Sequence, residues 1–100
     1  MALVEMDFAL GGGYSLTVDT ITAGNTKTIP MTNGILTGNW SGTYTKTTIG
    51  TYLVENGTMT ELIPKGIGDN SLTVTYSNGI FTVAYNTQVY SNSVNLYIYN

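Results

Sequence analysis

The dipeptide Asn-Gly occurs three times in this chain, at Asn33-Gly34, Asn56-Gly57 and Asn78-Gly79. A two-residue type I′ turn needs positive φ at both central positions, and Asn followed by Gly adopts that conformation with little strain. Each pair therefore marks a place where one strand can fold back on the next, in a register that can be checked. With Asn78 and Gly79 as the loop, partner numbers sum to 157, so Tyr76 meets Phe81, Val74 meets Val83 and Leu72 meets Tyr85. Thr75 then meets Thr82 and Thr73 meets Ala84 on the other face. Apolar residues gather on one side and small polar ones on the other, as in a half-buried antiparallel ribbon.

Around Asn56-Gly57 the same arithmetic sets Val54 opposite Met59, Leu53 opposite Thr60, Tyr52 opposite Glu61 and Thr51 opposite Leu62. Both faces carry apolar residues there, so the ribbon either lies between two layers or has its register pinned by a longer loop. Around Asn33-Gly34 the register puts Pro30 opposite Thr37, and proline cannot donate to a ladder, which predicts a short or edge hairpin. Residues 14–22 alternate, with Tyr14, Leu16, Val18 and Thr20 on one face. Residues 93–99 alternate too, Val94, Leu96 and Ile98 against Asn95, Tyr97 and Tyr99. No segment carries a sustained apolar stripe of period 3.6. Strands are expected to start near residues 2, 14, 26, 43, 50, 58, 71, 80 and 93, the spacing of sandwiches and small barrels. The expected fold is all-β, an antiparallel β-sandwich (Ig-like or jelly-roll-like) of seven to nine short strands linked by Asn-Gly hairpins. A sheet-only subunit completed by a neighbour's strand is the alternative.

Composition narrows the chemistry. The chain has 100 residues, enough for one domain with a core of its own, and no cysteine, histidine or arginine. Without imidazole or thiol, catalytic triads and Cys/His zinc sites drop out, and no enzyme activity, cofactor or metal is expected. Three lysines against six carboxylates leave a net charge of −3, which repels polyanions, and nucleic acid is an unsuited partner. No run approaches the roughly 20 apolar residues that span a bilayer, so membrane insertion is not expected. The opening MALVEMDFAL has no lysine and is interrupted by Glu5 and Asp7, unlike a secretory leader, which predicts synthesis and folding in a cytosol.

Within that opening, Ala2, Val4, Met6, Phe8 and Leu10 alternate against Leu3, Glu5, Asp7 and Ala9, and three glycines at 11–13 follow. Residues 1–13 are thus an N-terminal strand or arm with a glycine hinge, and residues 14–100 the sandwich domain. The segment is either the first strand of the sandwich or an arm that docks on another copy by strand addition. Val4, Met6, Phe8 and Leu10, with Tyr97 and Tyr99 near the other terminus, are the candidate interface. Trp40, in Gly38-Asn39-Trp40-Ser41-Gly42 and followed by Tyr44, is a candidate sugar-stacking platform, with Asn39 offering hydrogen bonds; the alternative is a core plug at one end of the sandwich. Glu55 and Glu61 flank a turn and read as solvated charges rather than a hydrolytic pair. Asp69 and Asn70 sit in a glycine loop whose turn chemistry explains them without calcium.

Taken together, the short chain rich in Thr, Asn, Tyr and Gly, the strands joined by Asn-Gly and the final SVNLYIYN resemble small virion structural proteins of tailed bacteriophages: decoration, head-fibre or tail-tip and tail-fibre modules. The resemblance implies assembly in the host cytoplasm, a final place on the virion, and partners that are other copies of the chain or larger virion proteins. A cell-surface glycan is the partner implied by the alternative, a carbohydrate- or surface-binding module built on Trp40, Tyr44 and Asn39.

Overall fold

The computed structural model describes residues 14–40, 48–66, 72–86 and 93–100. They form eight strands and no helix: β1 (Leu16–Thr22), β2 (Thr26–Pro30), β3 (Gly34–Trp40), β4 (Thr48–Glu55), β5 (Thr58–Ile63), β6 (Leu72–Ser77), β7 (Ile80–Tyr85) and β8 (Ser93–Tyr99). Five strands make one antiparallel sheet in the order β1-β8-β3-β4-β5, and three make a second in the order β2-β7-β6. The two pack face to face as a β-sandwich, as expected. β1 pairs with β8 and β2 with β7 across the two sheets, a nested pairing nearer the jelly-roll than the Ig alternative, in which the first two strands are neighbours in one sheet. The expected starts near residues 2 and 43 lie outside the described residues, while β3 begins at 34 and β4 at 48.

Period-two alternation builds the core from both sheets. Val94, Leu96 and Ile98 of β8, Leu36 and Trp40 of β3, and Ile49, Tyr52 and Val54 of β4 face Ile29, Leu72, Phe81, Val83 and Tyr85 of the other sheet. Phe81 sits between two tilted rings, 4.7 Å from Tyr76 and 5.9 Å from Tyr52 between centroids, inside the 4.5–7 Å range of favourable aromatic pairs.

The turns differ among themselves. Asn78 and Gly79 have φ of 52° and 77°, and Asn56 and Gly57 have 51° and 77°, which matches type I′ turns. Leu72↔Tyr85, Val74↔Val83 and Tyr76↔Phe81 pair as the first turn dictates. The second ribbon keeps its expected register from Glu55↔Thr58 to Tyr52↔Glu61, then slips, so that Thr51 meets Ile63 instead of Leu62. The cause lies at Gly50, whose φ is 102° and over which the Tyr52 ring folds to donate its hydroxyl to the Ile49 carbonyl at 2.8 Å.

The expected hairpin at Asn33-Gly34 does not form. β2 belongs to the smaller sheet and β3 to the larger, and Pro30 pairs with Ile80 rather than Thr37. Residues 31–33 carry the chain between layers, and hydrogen bonds explain why. The Met31 N–H donates to the Gly79 carbonyl at 2.9 Å, the Gly57 N–H to the Thr32 carbonyl at 2.9 Å, and the Tyr76 hydroxyl to the Met31 carbonyl at 2.6 Å. Asn33 spends its side-chain oxygen on the Asn56 N–H at 2.9 Å. The three Asn-Gly pairs therefore meet at one end of the sandwich, two as turns and one as the crossover that both turns hold.

Two glycines separate conformational from steric need. At Gly79 the φ is positive and an added Cβ meets nothing within 4 Å, whereas at Gly38 it drives into the Asn95 carbonyl oxygen of β8. Gly79→Ala should cost about 1–2 kcal/mol, the left-handed penalty alone. Gly38→Ala should cost about 1–3 kcal/mol and part β3 from β8, read by denaturant unfolding together with loss of amide protection in those two strands.

Candidate functional site

Because the residues above point inward, the alternate residues of the five-stranded sheet form its outer face. The registers arrange them in transverse rows. Leu16, Tyr99, Ile35, Leu53 and Thr60 stand side by side in one row; Val18, Tyr97, Thr37, Thr51 and Ile63 in the next; Thr20, Asn95, Asn39 and Thr48 in a third. Ile35 and Tyr99 are buried here, in a cluster with Tyr14 and Leu53 that is separate from the core. The Tyr14 ring stacks on Tyr99 at 6.0 Å and 20°. In the second row the Thr37 hydroxyl donates to the Gly50 carbonyl at 2.8 Å and lies 2.9 Å from the Thr51 hydroxyl. The third row is a side-chain ladder, Thr20 to Asn95 and Asn95 to Asn39, at 3.5 Å each. Glu55, at a corner, is the one charged residue on this face among the described residues.

At its edges the face is apolar and open. Leu16 is 41% and Val18 58% exposed on β1, and Leu62 and Ile63 are exposed on β5, where the slip in register falls. β1 is oriented against its own composition: Leu16 and Val18 face outward, while Thr17, Asp19 and Ile21 face the other sheet. Two contacts set that orientation. Ile21 is buried in the core, and Asp19 reaches across the open side of the sandwich to Lys27 of β2 as an ion pair. Asp19 also accepts the Thr20 N–H at 2.8 Å. Its carboxyl is held below the ordinary range, first by the hydrogen bond from Lys27 and then by that from Thr20.

The backbone of β1 has a definite free side. Ser15 and Asn100 exchange both backbone hydrogen bonds, at 3.2 and 3.3 Å. By antiparallel alternation Thr17, Asp19 and Ile21 bond to β8, and Leu16, Val18 and Thr20 turn their N–H and C=O outward. Asp19 occupies the Thr20 donor, so the open stretch is centred on Leu16 and Val18.

Of the candidate interface residues, Tyr97 lies mid-face, half-buried between Val18 and Thr37, and Tyr99 lies beside it under Tyr14. Val4, Met6, Phe8 and Leu10 lie outside the described residues. Trp40 and Asn39 are not brought together. Asn39 is on the outer face, whereas the Trp40 indole is 3% exposed on the core side, with no hydrogen-bond partner for Nε1 among the described residues. The indole is buried on the core side, at the end of β3. Tyr44 lies outside the described residues, as do Asp69 and Asn70. Glu55 and Glu61 are exposed beside their turn. Glu61 faces Tyr52, whose hydroxyl is pushed up in pKa by burial first and by that carboxylate second. Among the described residues no group of three or more metal-ligating side chains occurs. Leu16, Val18, Ile35 and Ile63 of this face are not among the residues singled out from the sequence; the alternation of Leu16 and Val18 is legible there, but not the face it takes.

The Asp19 shift gives a pH prediction. A carboxylate whose folded pKa is depressed contributes stability that is present above its unfolded value, near 3.8, and is lost as pH falls through the folded one. The pair is partly exposed, so its contribution is at most about 1 kcal/mol. Asp19→Asn should lower stability by about that amount at pH 7 and leave it unchanged at pH 2, measured by urea unfolding at both. No protein-family model, characterised protein or solved structure matches this chain, so its role has to be argued from the chemistry of this face.

Proposed function

We propose that the chain is a non-enzymatic structural protein that assembles by packing the outer face of its five-stranded sheet against another copy of itself, in the setting of a phage particle that its sequence resembles. One observation carries the assembly: a broad sheet face with a single charge at its corner and with Leu16, Val18 and Ile63 exposed along its edges. Apolar side chains left open at the edges of a sparsely charged face favour burial against a partner. A second copy suits it on electrostatic grounds. Identical chains each carry a net charge of −3, yet among the described residues this face carries only Glu55, so like-charge repulsion between them there is small. Tyr97, half-buried at mid-face, supplies contact area at low cost in side-chain entropy. The particle setting draws on the sequence resemblance alone.

Light scattering behind a sizing column should show a defined oligomer for the full chain. Val18→Lys, at a site open in the single subunit, should leave the unfolding midpoint nearly unchanged and weaken association about tenfold or more, because a lysine would be buried without a partner. A full chain that stays monomeric at all concentrations overturns the proposal.

A further inference from the structure

We propose that Asn78 is the first of the three Asn-Gly asparagines to be covalently modified, closing on the Gly79 nitrogen to a cyclic imide that water reopens as isoaspartate or aspartate. The inference stands apart from the assembly reading, since it concerns one end of the sandwich rather than the outer face of its larger sheet. All three Asn-Gly pairs have the residues for this reaction, because a glycine has no Cβ to shield its nitrogen from the preceding side chain. In the first step a bond forms between the Gly79 nitrogen and Asn78 Cγ, and the Cγ–Nδ2 bond breaks. Nδ2 leaves as ammonia, taking the proton that the Gly79 nitrogen gives up. Water then cleaves one of the two C–N bonds of the imide. Cleavage at Cγ gives aspartate, and cleavage at the Asn78 backbone carbonyl gives isoaspartate, whose main chain runs through Cβ and Cγ.

The surroundings of each pair set the order. In a type I′ turn the asparagine ψ is about 30°, which places the glycine nitrogen across the Cα–C bond from Cβ, so the turn must open before the ring can close. The rate then follows how easily that piece of chain opens. At Asn56-Gly57 the attacking N–H is itself engaged, donating from Gly57 to the Thr32 carbonyl at 2.9 Å, and the Asn56 N–H donates to the Asn33 side chain at 2.9 Å. Both bonds have to break. At Asn33-Gly34 the side-chain oxygen is held by that second bond, while Gly34 is buried with the Tyr99 carbonyl packed against it, so attack requires β3 to part from β8. Asn78 is exposed, and a Cβ at Gly79 would meet nothing within 4 Å. Among the described residues no hydrogen bond takes the Gly79 N–H; the crossover holds this turn by its carbonyl, which accepts the Met31 N–H at 2.9 Å.

The product bears on the fold at that same carbonyl. Isoaspartate puts one more atom into the main chain of the turn, which shifts Tyr76 against Phe81 and draws the Gly79 carbonyl away from Met31. Either product also adds one carboxylate to the six already present.

The test is to hold the full chain at mildly alkaline pH, digest samples at intervals and map them by mass spectrometry, with isoaspartate read by enzymatic methylation. Asn78 should convert first and Asn56 about fivefold more slowly, the factor that one further net hydrogen bond sets, with Asn33 last. In concentrated urea the three should convert at similar rates. Equal rates in the folded chain, or Asn56 or Asn33 ahead of Asn78, overturn the assignment. So does a folded chain that keeps Asn78 intact while the unfolded chain converts. The separated isoaspartate form should unfold at a lower urea concentration than the starting chain, whereas Asn78→Asp, which adds the charge but keeps an Asp-Gly turn, should unfold nearly where the original does. An isoaspartate form as stable as the original overturns the effect assigned to the turn.

Discussion

The arrangement of both sheets hangs on three residues of bent, non-strand chain. Residues 31–33 pass from one layer to the other, and their backbone groups are taken up by the two type I′ turns rather than by a hairpin of their own. Buried backbone N–H and C=O groups have to be paired somewhere, and here the pairing ties the β4–β5 turn to the crossover and the crossover to the β6–β7 turn. With that knot in place β2 is committed to β7, β3 is left to pair with β4 and β8, and the core closes over Phe81, Leu36 and Val54.

The opposite consequence is felt at β1. Once β8 is paired with β3, the one place left for β1 is the outer side of β8, at an edge with little of the smaller sheet beneath it. Ile21 alone reaches the core, and Asp19 and Lys27 bridge the gap between layers where apolar side chains would have been wetted. The ion pair contributes little energy in so exposed a position. Its effect is positional: it keeps the odd-numbered residues turned inward, so Leu16 and Val18 are turned out. Natural sheets usually guard such edges with charge or proline. Here Asp19 guards only the half of the edge beyond Val18, and among the described residues the half at Leu16 and Val18 is left open.

The proposed association follows from this geometry more than from any single residue. An outer face with buried Ile35 and Tyr99, stacked Tyr14, central Tyr97 and a threonine and asparagine ladder is, among the described residues, nearly uncharged and pairs several of its own polar groups. Such a surface loses little on being dried, because few hydrogen bonds to water have to be given up. The same low charge therefore suits the proposed contact between like subunits.

Alternation and turn chemistry were sufficient to derive much of this molecule from its letters. The Asn78-Gly79 ribbon pairs residue for residue as its turn requires, the first four pairs beyond Asn56-Gly57 do the same, and Val94, Leu96 and Ile98 share the buried side of β8. These are local consequences of period two and positive φ. Three matters lay beyond such reasoning. Asn33-Gly34 has the letters of a hairpin but became a crossover, because hydrogen bonds to two distant turns outweighed local preference. Trp40 and Asn39 are adjacent in sequence and on opposite faces of a strand, so the sugar platform they suggest is divided by the sheet itself. Alternation shows which residues of β1 share a face, yet only the contacts of Ile21 with the core and Asp19 with Lys27 decide which face is turned to solvent.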